Sequence, residues 1–336
     1  LYEKLEISNK DHQKGISFLE ILNLYQYILI ANFNLPKSLY ELNSATFFER
    51  LFDGLLGIKE WKNFSKAKDV ELSLEPISNL IDTRFEWEFL DRNSIDYLSA
   101  HHFIGWSRYG KYSLLRILFY HSVKSSSDYM EQLSNFTILL SKVFLVYSIR
   151  YAKTVNEIKQ FAYRINKNIQ SNNLEKIQQD FESKLSDHQD DGYFEKRVSL
   201  NLTDNAKRKD IICRIAAFNY EKEKNLTAFE VTQKLFKDKI DIEHIQSYND
   251  NNIQERDNIK KEWGDELNGL GNLVILERDF NRSISNKPFV KKKEIYKQSK
   301  YNIVRKLSEY DNWDISNAKE RREKLTQEVK EYLFED

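Results

Sequence analysis

The spacing of apolar residues along the chain predicts a mainly α-helical protein. Between positions 18 and 29, apolar side chains recur at the three- and four-residue intervals of a single helix face. The segments SLLRILFYHSV (113–123) and NFTILLSKVFLVYSI (135–149) have the same pattern, and only three Pro and nine Gly interrupt the 336 residues. Near the end of the chain, one predicted helix face carries Ala318, Leu325, Val329 and Tyr332.

A change in composition predicts two domains. From about residue 154 the chain becomes rich in Asn, Gln, Asp and Lys, and this stretch ends in SDHQDDG, after which a helix resumes near residues 208–220. Such a polar, Gly-terminated stretch is typical of solvated helices followed by a boundary. We therefore predict a helical domain at 1–192, which serves as a scaffold, and a second helix-rich domain at 193–336.

The apolar period changes between positions 240 and 300. KIDIEHI (239–245) and NLVIL (272–276) have the length and β-branched content of short strands. RDFNRSISN (278–286) has the composition of a turn-rich loop, and KPFVKKKEIYKQS (287–299) predicts a helix with Pro288 in its first turn. A unit of two strands and a helix can hold a metal ion between the strand end and the helix.

Charge and cysteine content limit the possible functions. The 52 basic and 52 acidic side chains give no net field, so a nucleic-acid partner must be bound by a local patch. A single Cys excludes a disulfide framework and most Cys-based zinc sites, and the cytoplasm is the expected compartment. The apolar run at 135–149 is shorter than the roughly 20 residues of a membrane span, so we predict a buried helix and no membrane association. The chain opens on Leu1 rather than Met, and we expect it to be a fragment.

One stretch of the chain is strongly basic. Residues 278–306 contain ten Lys or Arg against Asp279 and Glu294, a local net charge of +8. Such a face can neutralise phosphates, although a run of Lys is often only the solvated face of a helix. The cations expected to contact nucleic acid are Arg282, Lys287, Lys291 and Lys293.

An ordered set of polar residues in this region resembles a known catalytic motif. Glu243-His244, then Asn272 at the start of a strand, then Asn281 nine residues later, resembles the HNH (ββα-metal) nuclease motif. The surrounding segments, LGNLVILERDFNRSISN, IYKQS and NWDISNAKERREKL, are similar to the C-terminal HNH domain of GmrSD-type restriction endonucleases over about residues 200–336. The family usually has Pro three residues after the His, where this chain has Ser247.

The resemblance implies cleavage or nicking of foreign or modified phage DNA with Mg²⁺ or Mn²⁺. His244, with an ordinary pKa near 6.5, would be the general base. Glu243 and Asn281 would bind the metal through oxygen, which favours Mg²⁺ or Mn²⁺ over zinc, and Asn272 would brace the loop that orients His244. The family also implies an N-terminal nucleotide-hydrolysing domain or a partner protein that is missing from this chain.

Alternatives remain at each position and for the whole domain. A lone His beside a Glu in a strand is usually structural. Asn272 follows Gly271 and is alternatively a turn residue, and Asn281 is alternatively a helix cap. The domain as a whole is alternatively a catalytically silent HNH fold that binds DNA or mediates assembly. RNA cleavage is a third possibility, since no residue in the sequence indicates whether the protein recognises the 2′-hydroxyl that distinguishes RNA from DNA.

Overall fold

The computed structural model describes residues 1–247 and 253–335, and it confirms a mainly α-helical protein. The helices in chain order are α1 (Tyr2–His12), α2 (Phe18–Asn32), α3 (Ser44–Leu55), α4 (Leu74–Phe89), α5 (Ile95–Trp106), α6 (Leu115–Val123), α7 (Tyr129–Arg150), α8 (Asn156–Gln170), α9 (Leu174–Gln189), α10 (Gly192–Ser199), α11 (Ala206–Lys222), α12 (Ala228–Thr232), α13 (Ile253–Trp263), α14 (Arg278–Ile284), α15 (Phe289–Tyr296), α16 (Asn302–Arg305) and α17 (Ile315–Phe334).

Two short strands form an antiparallel pair where the apolar period changes. β1 (Ile240–His244) pairs with β2 (Leu273–Glu277), with Glu243 opposite Val274 and His244 opposite Leu273. Both strands were predicted, although β2 begins one residue later than the predicted segment. Asn272 is the last residue of a single 3₁₀ turn, Leu270–Asn272, which leads into β2.

The segment that follows β2 is a helix, so the predicted turn-rich loop at 278–286 is wrong. α14 begins directly after Glu277 and buries Ile284 completely. The Asn and Ser content of this segment favours turns, but burial of an apolar side chain stabilises the helical conformation here. Pro288 occupies the position immediately before α15 rather than its first turn.

Two compact units interleave along the chain. The first comprises residues 1–92, 111–137 and 155–181, and the second comprises 93–110, 138–154 and 182–336. The sequence suggested a single boundary after residue 192, where Asp191 caps the start of α10. The contacts give a division that differs from this single boundary, since α7 and α9 each contribute residues to both units. The division into independently folding domains at 1–192 and 193–336 stays a prediction.

Helix α2 is the centre of the first unit. Ser17 caps it through a capping box, in which the Ser17 hydroxyl accepts from the Glu20 N–H at 3.3 Å and the Glu20 carboxylate accepts from the Ser17 N–H at 3.2 Å. Ile21 and Ile30 are fully buried and α2 packs against α3, α4 and α8, whereas Leu19 near its start is exposed. The predicted apolar stripe is thus the core of this unit.

Helix α7 contains the longest apolar run. By length and composition alone it could cross a membrane, but about 67% of its apolar window is buried inside the protein. Phe144, Val146 and Tyr147 are completely buried. This agrees with the predicted core helix.

In the second unit, α11 and α17 support the small sheet. Ile211 and Ile215 on α11 are fully buried, and this helix packs against β2, α16 and α17. On α17 the predicted apolar face is buried at Ala318, Leu325 and Val329. α17 also packs on the 3₁₀ turn before β2, and therefore fixes the end of the sheet where His244 lies.

Candidate functional site

The end of β1 opens into a polar cleft of about 480 Å³. Consecutive residues of a strand point to opposite faces, but His244 is the last residue of β1, and both it and Glu243 border the cleft. α14 forms another wall with Asn281 and Arg282. The complete lining is Ile242, Glu243, His244, Ser247, Asn281, Arg282, Ser285 and Asn286. The structure thus brings together four of the residues singled out in the sequence.

His244 is held by an amide that the sequence did not indicate. Its ring Nε2 lies 3.1 Å from Oδ1 of Asn268, the last residue of the 3₁₀ turn Gly264–Asn268. Burial lowers the pKa of His244 to about 4, and the Asn268 hydrogen bond opposes part of this shift. The imidazole of the metal-free protein is therefore neutral at physiological pH.

Asn272 is fully buried and fixes the chain just after His244. Its Oδ1 accepts from the Gln246 N–H at 2.8 Å and from the Trp313 indole N–H at 3.1 Å. Its Nδ2 donates to the carbonyls of Gln246 (3.0 Å) and Leu267 (2.9 Å). Asn272 does not border the cleft, and its contacts fit the bracing role that the resemblance implies. It also ends a 3₁₀ turn, as the turn alternative predicted, and the bracing role stays a prediction.

The turn that carries Asn272 is pressed against α17. A Cβ atom on Gly271 would lie 1.8 Å from the carbonyl oxygen of Ala318, so only glycine fits there. The Arg321 guanidinium donates to the carbonyls of Leu270 (3.1 Å), Gly271 (2.7 Å) and Leu273 (3.0 Å). The start of β2 is thereby tied to the last helix of the chain.

Glu243 is buried and paired with a lysine. It is 6% exposed, and its Oε1 accepts from Nζ of Lys292 at 2.5 Å and from the hydroxyl of Tyr296 at 3.4 Å. Lys292 is completely buried, and its Nζ also donates to the His244 carbonyl at 2.6 Å. Burial raises the pKa of Glu243 and lowers that of Lys292, while the charge of each partner opposes the shift in the other.

Lys292 belongs to the KKK run that was counted as part of a basic surface. The sequence did contain a signal for its burial. Phe289, Lys292 and Tyr296 are spaced by three and four residues, so they share one helix face, and all three are buried in α15. Lys292 therefore belongs to the interior of the site, while Lys291 remains exposed.

Asn281 lies within α14, which begins at Arg278, so it is not a helix cap. Its half-buried side chain faces the cleft, and no residue in 1–247 or 253–335 hydrogen-bonds its amide group. An amide without an internal partner is available to a ligand in the cleft. The loop that follows Ser247, where the family usually has Pro, lies outside the described residues.

Half of the ten cations at 278–306 are neutralised by carboxylates. Arg278, Lys292, Lys297, Lys300 and Lys306 each pair with an acidic side chain. By contrast, no ion pair involves the four cations predicted to contact nucleic acid, within the part of the chain that the structure describes. Of these, Arg282, Lys287 and Lys291 are exposed and Lys293 is half-buried.

The comparison with known families agrees with this arrangement. Residues 178–328 match the family described as GmrSD restriction endonucleases, C-terminal domain. The match covers less than half of the 336 residues and coincides with the part of the chain whose sequence resembles that domain. The family region includes both strands, α14, α15 and most of α17, and hence every residue of the cleft. No curated protein matches the chain.

The oxygen donors that border the cleft are of the type that binds Mg²⁺ rather than zinc. The described residues contain no group of three or more His, Cys, Asp or Glu side chains that could hold a metal. The cleft offers one carboxylate, Glu243, and the amide of Asn281, which has no hydrogen-bond partner among residues 1–247 and 253–335. Mg²⁺ is usually bound by one or two carboxylates together with water and substrate phosphate, so these two oxygen donors are of the kind that such an ion takes.

Proposed function

We propose that the chain is a metal-dependent HNH endonuclease that cleaves or nicks DNA phosphodiester bonds in bacterial restriction of foreign or modified phage DNA. The observation that carries the proposal is the single cleft bordered by His244, Glu243, Asn281 and Arg282. The match of residues 178–328 to the C-terminal domain of GmrSD restriction endonucleases supports it. The cytoplasm is the proposed compartment.

His244 is the proposed general base. Its Nε2 lies 3.1 Å from the Asn268 Oδ1, a contact that orients the ring. Burial lowers the pKa of His244 and so favours the neutral imidazole, which takes a proton from water as that water attacks the phosphorus and the 3′-oxygen leaves. Asn272 acts through the backbone of Gln246 to hold His244 in place, and it is a positioning residue rather than a catalytic one.

Glu243 and Asn281 are the proposed ligands of Mg²⁺ or Mn²⁺. The bound ion supplies a Lewis acid for the charge that develops on the phosphate oxygens. Glu243 offers its second carboxylate oxygen, since Lys292 and Tyr296 both contact Oε1, and the His244 backbone also hydrogen-bonds this carboxylate. Asn281 offers its amide oxygen from α14. The expected products carry a 5′-phosphate and a 3′-hydroxyl.

Arg282 and Lys287 are the proposed phosphate contacts nearest the reaction. Arg282 borders the cleft directly, and Lys287 lies just beyond the end of α14. Lys291 and Lys293 extend this positive surface along α15. Their charges are available to DNA because no carboxylate pairs with them in the described structure.

A catalytically silent DNA-binding or assembly module is the second candidate. The ion pair between Glu243 and Lys292 favours it, because one carboxylate oxygen of the proposed metal ligand is already occupied. In either case an N-terminal nucleotide-hydrolysing domain or a partner protein is proposed to act with this chain.

Incubation with supercoiled plasmid separates the candidates. The nuclease proposal predicts nicked or linear DNA with Mg²⁺ or Mn²⁺ and none with EDTA. Phage DNA with modified bases and a structured RNA are assayed in parallel, and stronger cleavage of RNA would reassign the substrate. A gel shift without cleavage of any of these substrates, with either metal, would support the silent module and contradict the nuclease proposal.

A further inference from the structure

The ammonium group of Lys292 is enclosed in the protein. The residue is 0% exposed, although its neighbours in the KKK run, Lys291 and Lys293, are exposed and half-buried, respectively. Burial of a charged amine costs several kcal/mol unless it is paired and hydrogen-bonded. Here it is both, since Nζ lies 2.5 Å from Glu243 Oε1 and 2.6 Å from the His244 carbonyl oxygen.

These two contacts join adjacent residues through different groups. Lys292 holds the side chain of Glu243 and the main chain of His244, which lie one after the other at the end of β1. One ammonium group therefore couples the orientation of the carboxylate to the position of the His244 backbone. Tyr296, one turn further along α15, adds a weaker contact to the same carboxylate oxygen at 3.4 Å.

Stability alone is a poor explanation for this pair. Replacing a buried ion pair by apolar residues of similar volume is often neutral or stabilising, because desolvation offsets the attraction between the charges. An orienting function explains the arrangement better. Two side-chain donors share Oε1, the His244 backbone also hydrogen-bonds the carboxylate, and Glu243 borders the cleft.

We propose that Lys292 is a positioning residue for the metal site, which holds Glu243 from its buried side so that the second carboxylate oxygen faces the cleft. The inference rests on the proposed function, because it takes Glu243 as a metal ligand. Hydrogen-bond donors to metal-binding carboxylates typically contribute 10- to 100-fold to metal affinity. Lys292 is accordingly required for tight metal binding even when no DNA is present.

The test measures binding of Mn²⁺ alone to the full chain, from the electron paramagnetic resonance signal of unbound Mn²⁺. Lys292→Met removes the ammonium group and is expected to weaken Mn²⁺ binding by about tenfold or more. Lys297→Met, the same substitution on an exposed lysine just after α15 that pairs with Glu294, is the matched control and is expected to leave the affinity unchanged. Circular dichroism verifies that each variant is folded.

A purely structural role predicts a different result. Lys292→Met would then change the thermal midpoint and leave the Mn²⁺ affinity of the folded protein equal to that of the wild type, which overturns the proposal. A tighter affinity also overturns it, because the ammonium group would then compete with the metal. If Lys292→Met does not fold, Lys292→Leu, which also removes the donor, is judged by the same criterion.

Glu243→Gln distinguishes failure of this inference from failure of the metal site. Weaker Mn²⁺ binding by Glu243→Gln together with unchanged binding by the Lys292 variants contradicts only the positioning role. Unchanged binding by Glu243→Gln removes Glu243 from the metal site, and both proposals fail. Weaker binding by both substitutions, with an unaffected Lys297→Met, supports both.

Discussion

The side-chain amide of Asn272 pairs with the backbone of Gln246 in both directions. It accepts from the Gln246 N–H at 2.8 Å and donates to the Gln246 carbonyl at 3.0 Å, as a neighbouring strand would. One buried side chain thereby continues the sheet past the end of β1. This contact fixes the backbone two residues after His244.

Loss of this amide is expected to destabilise the second unit. Asn272→Ala leaves the Gln246 N–H and the carbonyls of Gln246 and Leu267 without their partner, so we expect a loss of about 3 kcal/mol in the free energy of unfolding. Asn272→Asp should be no better, since a carboxylate cannot donate to the two carbonyls.

The single cysteine provides the measurement for this prediction. Cys213 is 3% exposed in α11, and burial raises its pKa to about 12, so thiol labelling in urea reports opening of this unit. Asn281→Ala is the control, because its amide has no partner in the described structure, and it should shift the free energy by less than about 0.5 kcal/mol. Equal labelling of the Asn272 variants and the wild type would contradict the bracing role.

A second prediction concerns the contact between Gly271 and α17. Gly271→Ala places a Cβ atom 1.8 Å from the Ala318 carbonyl oxygen, so the turn or the helix must move. We expect severe destabilisation, seen as Cys213 labelling without urea or as insoluble protein. Gly192→Ala is the matched control, since its Cβ meets nothing within 4 Å at the start of α10. A Gly271→Ala variant as stable as this control would show that the packing is incorrect.

The burial of His244 predicts an unusual titration in the metal-free protein. Its pKa of about 4 lies below the ordinary value of about 6.5, so the folded state binds fewer protons than the unfolded state between these two values. Stability should therefore fall as the pH decreases from 6.5 toward 4, while above 6.5 this group contributes no pH dependence. NMR of the imidazole protons, assigned by comparison with His244→Gln, measures the pKa directly. A value at or above 6.5 would contradict the described burial.

The unpaired cations predict a specific salt dependence of DNA binding. Arg282→Ala and Lys287→Ala should weaken binding to all sequences and reduce the salt slope by about one unit for each lost phosphate contact. Lys306→Ala is the control, because it removes the same charge from a side chain whose Nζ lies 2.5 Å from a Glu309 oxygen. Binding measured at several salt concentrations tests the prediction. Equal effects of all three substitutions would mean that net charge alone matters.

Periodicity predicted the helical frame and both strands, because the burial of one face constrains the residue pattern strongly. The predicted segments at 113–123 and 135–149 became α6 and part of α7, and the strand ending at His244 became β1. α14 was missed because its Asn and Ser residues favour turns in isolation, whereas burial of Ile284 is a tertiary effect.

The site could be predicted only in part for a similar reason. Glu243, His244 and Asn281 were visible as an ordered set, and the structure brings them to one cleft. Their supporting contacts were not visible in the same way. Asn268 contacts His244 from a 3₁₀ turn, which has no periodic sequence pattern. Lys292 lies in a run of three lysines, and only its spacing from Phe289 and Tyr296 on one helix face indicates that it is buried.

The most direct test of the central claim is the rate of plasmid cleavage by His244→Ala. The substitution removes the proposed base and leaves Glu243 and Asn281 in place, so cleavage should fall by about 10²-fold or more while Mn²⁺ and DNA binding persist. Under the same conditions, Glu243→Gln and Asn281→Ala should lose metal affinity and recover partly at higher Mn²⁺. Undiminished cleavage by a folded His244→Ala variant would contradict the assignment of His244 as the general base.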